Sequence, residues 1–167
     1  DQKVPADIDL LRSDNATGKD KSTNTVDLKF FHRLSRVEVE LTAGEGVSDA
    51  ELAGMGITLS KQPVKADFDV LQNTLTAGQD LATLTLNTAA DGKTASAIIL
   101  PQEVASGRSL ELTLTGGTVL TWPVEADRTF EQGKKTIFNI TLKRTPVGTE
   151  VEVNATIQPW GTQGTVS

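Results

Sequence analysis

Apolar and polar residues alternate with a period of two along most of this chain. Successive side chains of a strand point to opposite faces, so each such segment has one dry and one wet face. We count about ten segments of this kind, and the clearest span residues 37–41, 110–114, 138–142 and 151–158. Many short amphipathic segments of this kind are typical of antiparallel sheets packed face to face. We therefore predict an all-β fold, an antiparallel β-sandwich.

Turn-forming residues separate these segments. Asp91-Gly92 and Gly116-Gly117 each lie between two apolar segments and predict hairpin loops. Pro101 follows an apolar run and should end that strand, because proline has no N–H for a central ladder. One short helix is predicted at residues 49–53, where Ser48 and Glu51 form a capping-box pattern.

The length of 167 residues suits one domain with its own core. Residues 12–25 carry almost no apolar side chain, so we expect a mobile loop there. This divides the chain into an N-terminal boundary segment and flexible loop, residues 1–25, and a β-sandwich domain, residues 26–167. We expect the core to include Phe30, Val39, Phe68, Leu112, Trp122 and Phe138.

Charge and composition exclude several classes of protein. The net charge is −6 and the pI is near 4.8, which argues against nucleic acid as a partner, since phosphate binding needs a clustered basic surface. No apolar run approaches the roughly 18 residues of a membrane span, so we expect no transmembrane segment. The absence of cysteine excludes thiol catalysis, disulfides and cysteine-based zinc sites.

His32 is the only histidine and lies within an apolar segment. Even positions face inward up to Leu34 and odd positions from Val37 onward, so the strand should bend near Ser35-Arg36. A catalytic interpretation would make His32 a general base. We favour a structural role, in which a ring nitrogen bonds a backbone carbonyl freed by the bend. No serine nucleophile motif accompanies it, so we expect no enzyme.

Paired carboxylates offer a second catalytic interpretation. Glu38 and Glu40, and likewise Asp67 and Asp69, point to one face of a strand about 7 Å apart. Glycosidases use carboxylates at such distances. Alternating acids on a wet strand face also provide solubility, and we favour that interpretation.

A calcium site is conceivable in the loop that holds Asp14, Asn15 and Asp20, because calcium prefers oxygen ligands. The spacing differs from that of an EF-hand loop. We therefore predict no metal, no cofactor and no catalytic residue.

Four segments occur in a fixed order: FFHRLSRVEVELTAGEG, ASAIILPQ, TFEQGKKTIFNITLKRT and VEVNATIQPWGTQG. Together they resemble the signature of the fimbrillin family, specifically its Mfa-like branch of type V pilins, from about residue 7 to the C-terminus. Thr136 departs from the family pattern, which usually has an aromatic residue there. The segment ADIDLLRS resembles the family's inter-domain boundary, so the chain resembles the C-terminal domain alone.

The resemblance implies a transthyretin-like sandwich in a structural subunit or adhesin of bacterial fimbriae, which serve cell adhesion and biofilm formation. Such proteins are exported as lipoprotein precursors to the outer membrane of Gram-negative bacteria. A protease removes the N-terminal strand, and a segment of a neighbouring subunit fills the vacated groove. The implied partners are other fimbrial subunits and host or bacterial surface ligands.

The last amphipathic strand is the candidate strand-complementation segment, with Val151, Val153, Ala155, Ile157 and Trp160. This row could pack in its own domain or in a neighbour. For an isolated domain we favour its own core, because a free amphipathic edge invites aggregation.

An alternative function is a soluble glycan- or small-ligand-binding sandwich at the cell surface. An exposed Trp122 or Trp160 beside a groove would favour this alternative, because aromatic rings stack on sugar faces.

Overall fold

A computed structural model describes residues 7–14, 18, 20–22, 25–103, 106–125, 128–160 and 165–166. For residues 150, 151, 153–155, 165 and 166 it describes the backbone alone. The elements in chain order are β1 (Leu11–Ser13), β2 (Leu28–His32), β3 (Ser35–Ala43), α1 (Asp49–Leu52), β4 (Gly56–Pro63), β5 (Ala66–Asp69), β6 (Thr74–Ala77), β7 (Leu81–Thr85), β8 (Asn87–Thr88), β9 (Thr94–Ile99), β10 (Gln102–Glu103), β11 (Ser109–Thr113), β12 (Val119–Pro123), β13 (Thr129–Phe130), β14 (Lys134–Thr145), β15 (Gly148–Pro159) and β16 (Thr165–Val166).

Two sheets form the body of the molecule. One has five strands in the order β15-β14-β3-β9-β8, and the other has four in the order β12-β11-β4-β7. Their apolar faces enclose a common core, so the predicted all-β sandwich with one short helix is confirmed. No helix in the described part of the chain has the length and apolar character needed to cross a bilayer.

One strand pair departs from the antiparallel expectation. β14 runs parallel to β3, with pairs from Lys135 beside Arg36 to Leu142 beside Ala43. Both strands are amphipathic with the same period, and alternation alone does not distinguish a parallel from an antiparallel neighbour. The pairing places the buried apolar rows of β3 and β14 side by side within the five-stranded sheet.

The core follows the predicted alternation in most strands. Buried residues recur at every second position of β3, β11 and β14, and facing positions of β4 complete the layer. Its most enclosed members are Val37, Val39, Leu52, Ile57, Leu59, Leu110, Leu112, Phe130, Phe138, Ile140 and Leu142. Trp122 is half-buried against this core and meets the Phe138 ring edge-to-face at 5.6 Å.

Two predicted core residues lie elsewhere. Phe68 pairs with Leu75 in the β5–β6 hairpin, which forms a two-stranded sheet of its own. Phe30 is half-buried in β2, which belongs to a small sheet of order β1-β2-β16. The period of two was correct in both segments, but it does not say against which layer an apolar face packs.

The N-terminal part differs from the predicted loop at its start. Arg12 and Ser13 belong to β1, which pairs antiparallel with β2. Here the backbone supplies the ladder and few apolar side chains are needed. Residues 15–17, 19, 23 and 24 of the predicted loop lie outside the described residues.

Local signals for turns and for the helix are confirmed. The backbone N–H of Ser48 donates to the Glu51 carboxylate at 2.9 Å, which closes the capping box at the start of α1. This hydrogen bond, followed by the contact with Arg144, lowers the pKa of Glu51. Gly92 has φ +72° in the β8–β9 loop, and a Cβ there would lie 1.7 Å from the Leu52 carbonyl oxygen. Only glycine fits at this turn.

We predict that Phe138→Ala destabilises the protein by about 3–5 kcal/mol, because a fully buried ring leaves a cavity. Phe31→Ala is the matched control, since Phe31 is 40% exposed and should cost about 1 kcal/mol or less. Denaturant unfolding of the two variants measures both values. A loss below about 1 kcal/mol for Phe138→Ala would show that the faces of β14 are wrongly assigned.

Candidate assembly surface at the C-terminal strand

β15 is an edge strand with one paired and one open side. On one side it pairs with β14 over twelve consecutive positions, from Pro159 beside Lys134 to Gly148 beside Thr145. On the other side it forms no ladder with any strand of the described residues. β12, at the edge of the opposite sheet, approaches β15 without pairing with it.

A hydrogen bond at the C-terminal end of β15 shows which residues of the strand bond to β14 and which face away from it. The N–H of Trp160 donates to the Gly133 carbonyl at 2.9 Å, which marks a hydrogen-bonded pair. Such pairs alternate with non-bonded pairs in an antiparallel ladder, and Pro159, which has no N–H, falls on a non-bonded position. With the register unbroken, the odd-numbered residues of β15 direct their N–H and C=O groups toward the open side.

The residues of the candidate strand-complementation segment thus lie largely in one row. Val151, Val153 and Ala155 occupy odd positions opposite Leu142, Ile140 and Phe138 of β14. Ile157 is opposite Thr136 and is 43% exposed, although its alternation predicted a dry face. Ile157 also lines an open recess of about 360 Å3 with Glu125, Arg128, Thr129 and Glu131. There is therefore free space beside this end of the edge.

Trp160 leaves the row and closes the end of the strand. Its ring stacks on the imidazole of His32, with centroids 3.6 Å apart and an interplanar angle of 4°. The Arg36 guanidinium carbon lies 6.0 Å from the Trp160 ring centroid. Gly133, which accepts the Trp160 N–H, donates its own N–H to the Leu34 carbonyl at 2.9 Å. Side chains and backbone together fix the C-terminal end of β15 against the β2–β3 bend.

His32 is buried, as expected, but its partner was wrongly predicted. Its Nδ1 lies 3.1 Å from Oδ1 and 2.9 Å from Oδ2 of Asp9, so it donates to a carboxylate instead of a backbone carbonyl. The opposite nitrogen, Nε2, is buried without a hydrogen-bond partner in the described chain. Asp9 precedes His32 by 23 residues in a segment with no regular pattern. Nothing in the local sequence could have indicated this pair.

The bend itself lies slightly before the predicted position. β2 ends at His32 and β3 begins at Ser35, so the chain turns at Arg33 and Leu34. Residues 32–35 are all buried, and beyond them the inward-facing positions change from even to odd numbers, as predicted.

Of the four paired acids, Glu38 and Asp69 have structural partners, whereas Glu40 and Asp67 are exposed on their strands. Glu38 accepts from Arg36 and Lys135, each at 3.0 Å, on the outer face of the five-stranded sheet. Asp69 caps the β5–β6 turn through the N–H groups of Leu71 and Gln72. These contacts support the interpretation of the acids as wet-face residues.

The loop acids proposed for calcium are also engaged. Asp14 forms ion pairs with Arg12, at 3.2 Å, and with Arg33. Asp20 accepts from the N–H of Ser22 at 2.8 Å. Asn15 lies outside the described residues. Within the described ranges no three acids or imidazoles are grouped as metal ligands.

On its solvent face β15 is joined to β14 by a charge pair. The Lys143 Nζ donates to Glu152 at 2.7 Å, and this hydrogen bond lowers the pKa of the Glu152 carboxyl. A carboxyl with a lowered pKa in the folded state stabilises the fold above its ordinary pKa of 4.5, and this contribution is lost as the pH falls through the folded-state pKa. Both side chains are well exposed, so the contribution is small.

Comparison with known proteins identifies the family. Residues 1–160 match the family model described as fimbrillin-like. The chain belongs to this fimbrillin-like family. Membership makes it a relative of structural subunits that build a cell-surface appendage.

Two relatives from Bacteroides uniformis are the most informative. The first is described as a candidate fimbrium subunit, Fim1C, and is 31% identical to this chain over 168 residues. The match covers 95% of this chain and 53% of the relative. The crystal structure of a candidate cell adhesion protein is 29% identical with a TM-score of 0.83, covering 96% of this chain and 63% of that one. This fimbrillin-like chain therefore spans only part of both relatives.

The tip fimbrial protein Mfa3 of Porphyromonas gingivalis shares the fold. Its TM-score is 0.51 at 12% identity, with 78% of this chain and 52% of that chain covered. At this identity the likeness concerns the sandwich alone.

We predict that His32→Gln releases the Trp160 ring and lowers the free energy of unfolding by about 1–3 kcal/mol, the sum of a lost ring contact and a lost charged hydrogen bond. Tryptophan emission in a Trp122→Phe background reports on Trp160 alone and should shift to the red. Asp9→Asn is the companion variant, since it keeps the ring but weakens its carboxylate contact. Unchanged Trp160 emission in His32→Gln would contradict the stacked arrangement.

Deleting residues 149–167 should unfold the domain, because it uncovers one side of β14 and leaves apolar surface in water at about 25 cal/mol per Å2. Deleting only residues 161–167 retains β15 and Trp160 and should leave a folded protein. Thermal melting and size-exclusion chromatography compare the two truncations. If the longer deletion melts within a few degrees of the intact chain, β15 is dispensable for the fold.

Proposed function

We propose that this protein is a structural subunit or adhesin of bacterial fimbriae that joins its neighbours by β-strand complementation. The observation that carries the proposal is the open side of β15, a twelve-residue edge with no ladder partner in the described chain. An unpaired strand edge of this length is a template for a strand from another molecule.

The odd-numbered row of β15 is the proposed contact. Val151, Val153, Ala155 and Ile157 present outward main-chain donors and acceptors, which would supply affinity. Their alternation with polar neighbours would set the register of the incoming strand. Trp160 would act as a stop, because its ring and its N–H fix the end of the strand. Since β15 is already paired with β14, we propose that it serves as a receiving edge and remains in its own sheet.

The location and the partners follow from this role. A subunit of a surface appendage must be exported, and we propose the outer membrane of a Gram-negative bacterium as the destination and a lipoprotein precursor as the form. The proposed partners are other fimbrial subunits and surface ligands of host or bacterial cells, with roles in adhesion and biofilm formation. The domain division at residue 25 stays a prediction.

A structural role is better supported than catalysis or glycan binding. His32 lies between Asp9 and Trp160 in a sealed site and has no nucleophile hydrogen-bonded to it in the described chain. Neither tryptophan is fully exposed, because His32 stacks on one face of Trp160 and Trp122 packs against the core. We therefore infer that the protein is not an enzyme. Nothing in the described residues specifically favours the glycan-binding alternative.

Ile157→Pro tests the open edge directly. Residue 157 directs its N–H away from β14, so proline removes one outward donor without breaking the domain's own ladder. We expect the variant to melt close to the wild type but to give no fimbriae on cells that express the full-length protein. Electron microscopy counts the fimbriae, and thermal melting of the purified chain checks the fold.

Ile157→Ala is the control, since it shortens the same side chain and keeps the N–H. It should still assemble, whereas Thr156→Pro should destabilise the domain because residue 156 bonds to β14. Normal fimbriae with Ile157→Pro would exclude β15 as the receiving edge.

A further inference from the structure

Arg108 is a buried cation on the inner face of the four-stranded sheet. It directly precedes β11, and its carbonyl accepts the Val124 N–H at 3.0 Å, which continues the β11–β12 pairing. Its position in the alternation therefore matches that of Leu110 and Leu112, which point into the core. The residue is only 5% exposed.

The Arg108 guanidinium lacks a counter-ion in the described chain. Its Nε and Nη1 are sealed from solvent and have no hydrogen-bond partner there. Burial lowers the pKa of Arg108, and no acid of the described residues opposes this effect. Arg33, which is similarly buried, instead pairs with Asp14. A buried charge is ordinarily paired, so Arg108 stands out.

Unlike the Arg108 guanidinium, the polar groups of the neighbouring β4 bulge have hydrogen-bond partners. Gln62 is fully buried, yet its amide donates to the Ser60 carbonyl and accepts from Gln102, each at 2.8 Å. Ser60 Oγ accepts the Ser109 N–H at 2.8 Å. These polar groups are therefore satisfied, whereas Nε and Nη1 of Arg108 have no acceptor among the described residues.

A second cation lies against the same loop. The β4 register shifts between Leu59 and Gln62, and Lys61 within this bulge adopts φ +52°. A positive φ is rare for a residue with a side chain. A bulge of this kind changes the direction in which a side chain of the strand points. The Lys61 Nζ lies 3.0 Å from the position of a Cβ built on Gly107, the residue before Arg108. Lys61 is exposed and forms no ion pair with a described acid.

We propose that Lys61 and Arg108 form a binding site for a compact oxyanion, a carboxylate, sulfate or phosphate group. The exposed ammonium would attract the anion from solvent, and the guanidinium would supply the recessed charged hydrogen bonds. Ser60 and Ser109, the chain neighbours of Lys61 and Arg108, have hydroxyl oxygens 3.1 Å apart and could add neutral donors. The site uses no residue of β15, so a test of anion binding and a test of strand complementation can fail independently of each other.

Calorimetric titration and thermal melting with sodium sulfate, sodium phosphate and sodium glucuronate, against sodium chloride at equal ionic strength, test the site. We expect saturable binding to the wild type, with a matching rise in Tm. Arg108→Met should weaken binding roughly tenfold or more, because the charged hydrogen bonds are lost. Sulfate and phosphate also stabilise proteins by exclusion from their surfaces, so only the part of the shift lost in Arg108→Met counts.

Two further variants keep the test decisive. Arg144→Met removes a cation that pairs with Glu51 and should bind the anions like the wild type. Lys61→Met alters an exposed side chain, so it should fold even if Arg108→Met does not, and it should bind several-fold more weakly. In chloride, Arg108→Met should melt no lower than the wild type, because an apolar side chain replaces an unpaired buried charge.

The outcomes separate the sources of the anion. Preference for glucuronate assigns the site to carboxylates, and preference for sulfate or phosphate assigns it to those esters; both support the proposal. Self-association that Arg108→Met abolishes also supports it and assigns the oxyanion to an acidic side chain of a second copy. Absence of saturable binding to the wild type, or equal binding by wild type, Lys61→Met and Arg108→Met, would overturn it.

Discussion

The parallel pairing of β3 with β14 is the constraint on which the rest of the structure depends. It joins segments about a hundred positions apart and places Val39 beside Phe138 at the centre of the core. β9 and β8 extend the sheet from β3, and β15 extends it from β14. The open edge of β15 and the contact of Trp160 with His32 exist only because this central pair is formed. Contacts so distant in sequence are intrinsically slow to form, so the candidate assembly surface should be completed late in folding.

Much of the fold could be predicted because alternation and turn chemistry are local. The period of two in β3, β11 and β14 follows from the pleat itself, and the Ser48–Glu51 capping box depends on four adjacent residues. The parallel direction of β14 and the separate β5–β6 hairpin depend on which layer accepts each apolar face. That choice is tertiary, and no single segment encodes it.

The candidate assembly surface likewise has features that the sequence pattern predicts and features that depend on tertiary contacts. The strand that carries Val151, Val153 and Ala155 was predictable from its pattern, whereas its edge position was not. Ile157 is half-exposed because β15 has no outer neighbour in the described chain to cover it. The contacts of Trp160 with His32 and Arg36 join the end of β15 to the distant β2–β3 bend and leave no periodic signal. Arg108 was detectable in principle, since it occupies an inward position of the row that continues with Leu110.

The small sheet β1-β2-β16 determines how the chain would respond to tension applied at its two ends. β1 and β16 both run antiparallel to β2, so they run parallel to each other on its two sides. A force that pulls on the chain before Leu11 and after Val166 therefore acts along the strands in opposite directions and shears the sheet. Shear loads all the bridging hydrogen bonds together, but these strands have only three and two residues. They would slip first and lengthen the protein, and the twelve-pair β14–β15 ladder would keep the sandwich intact.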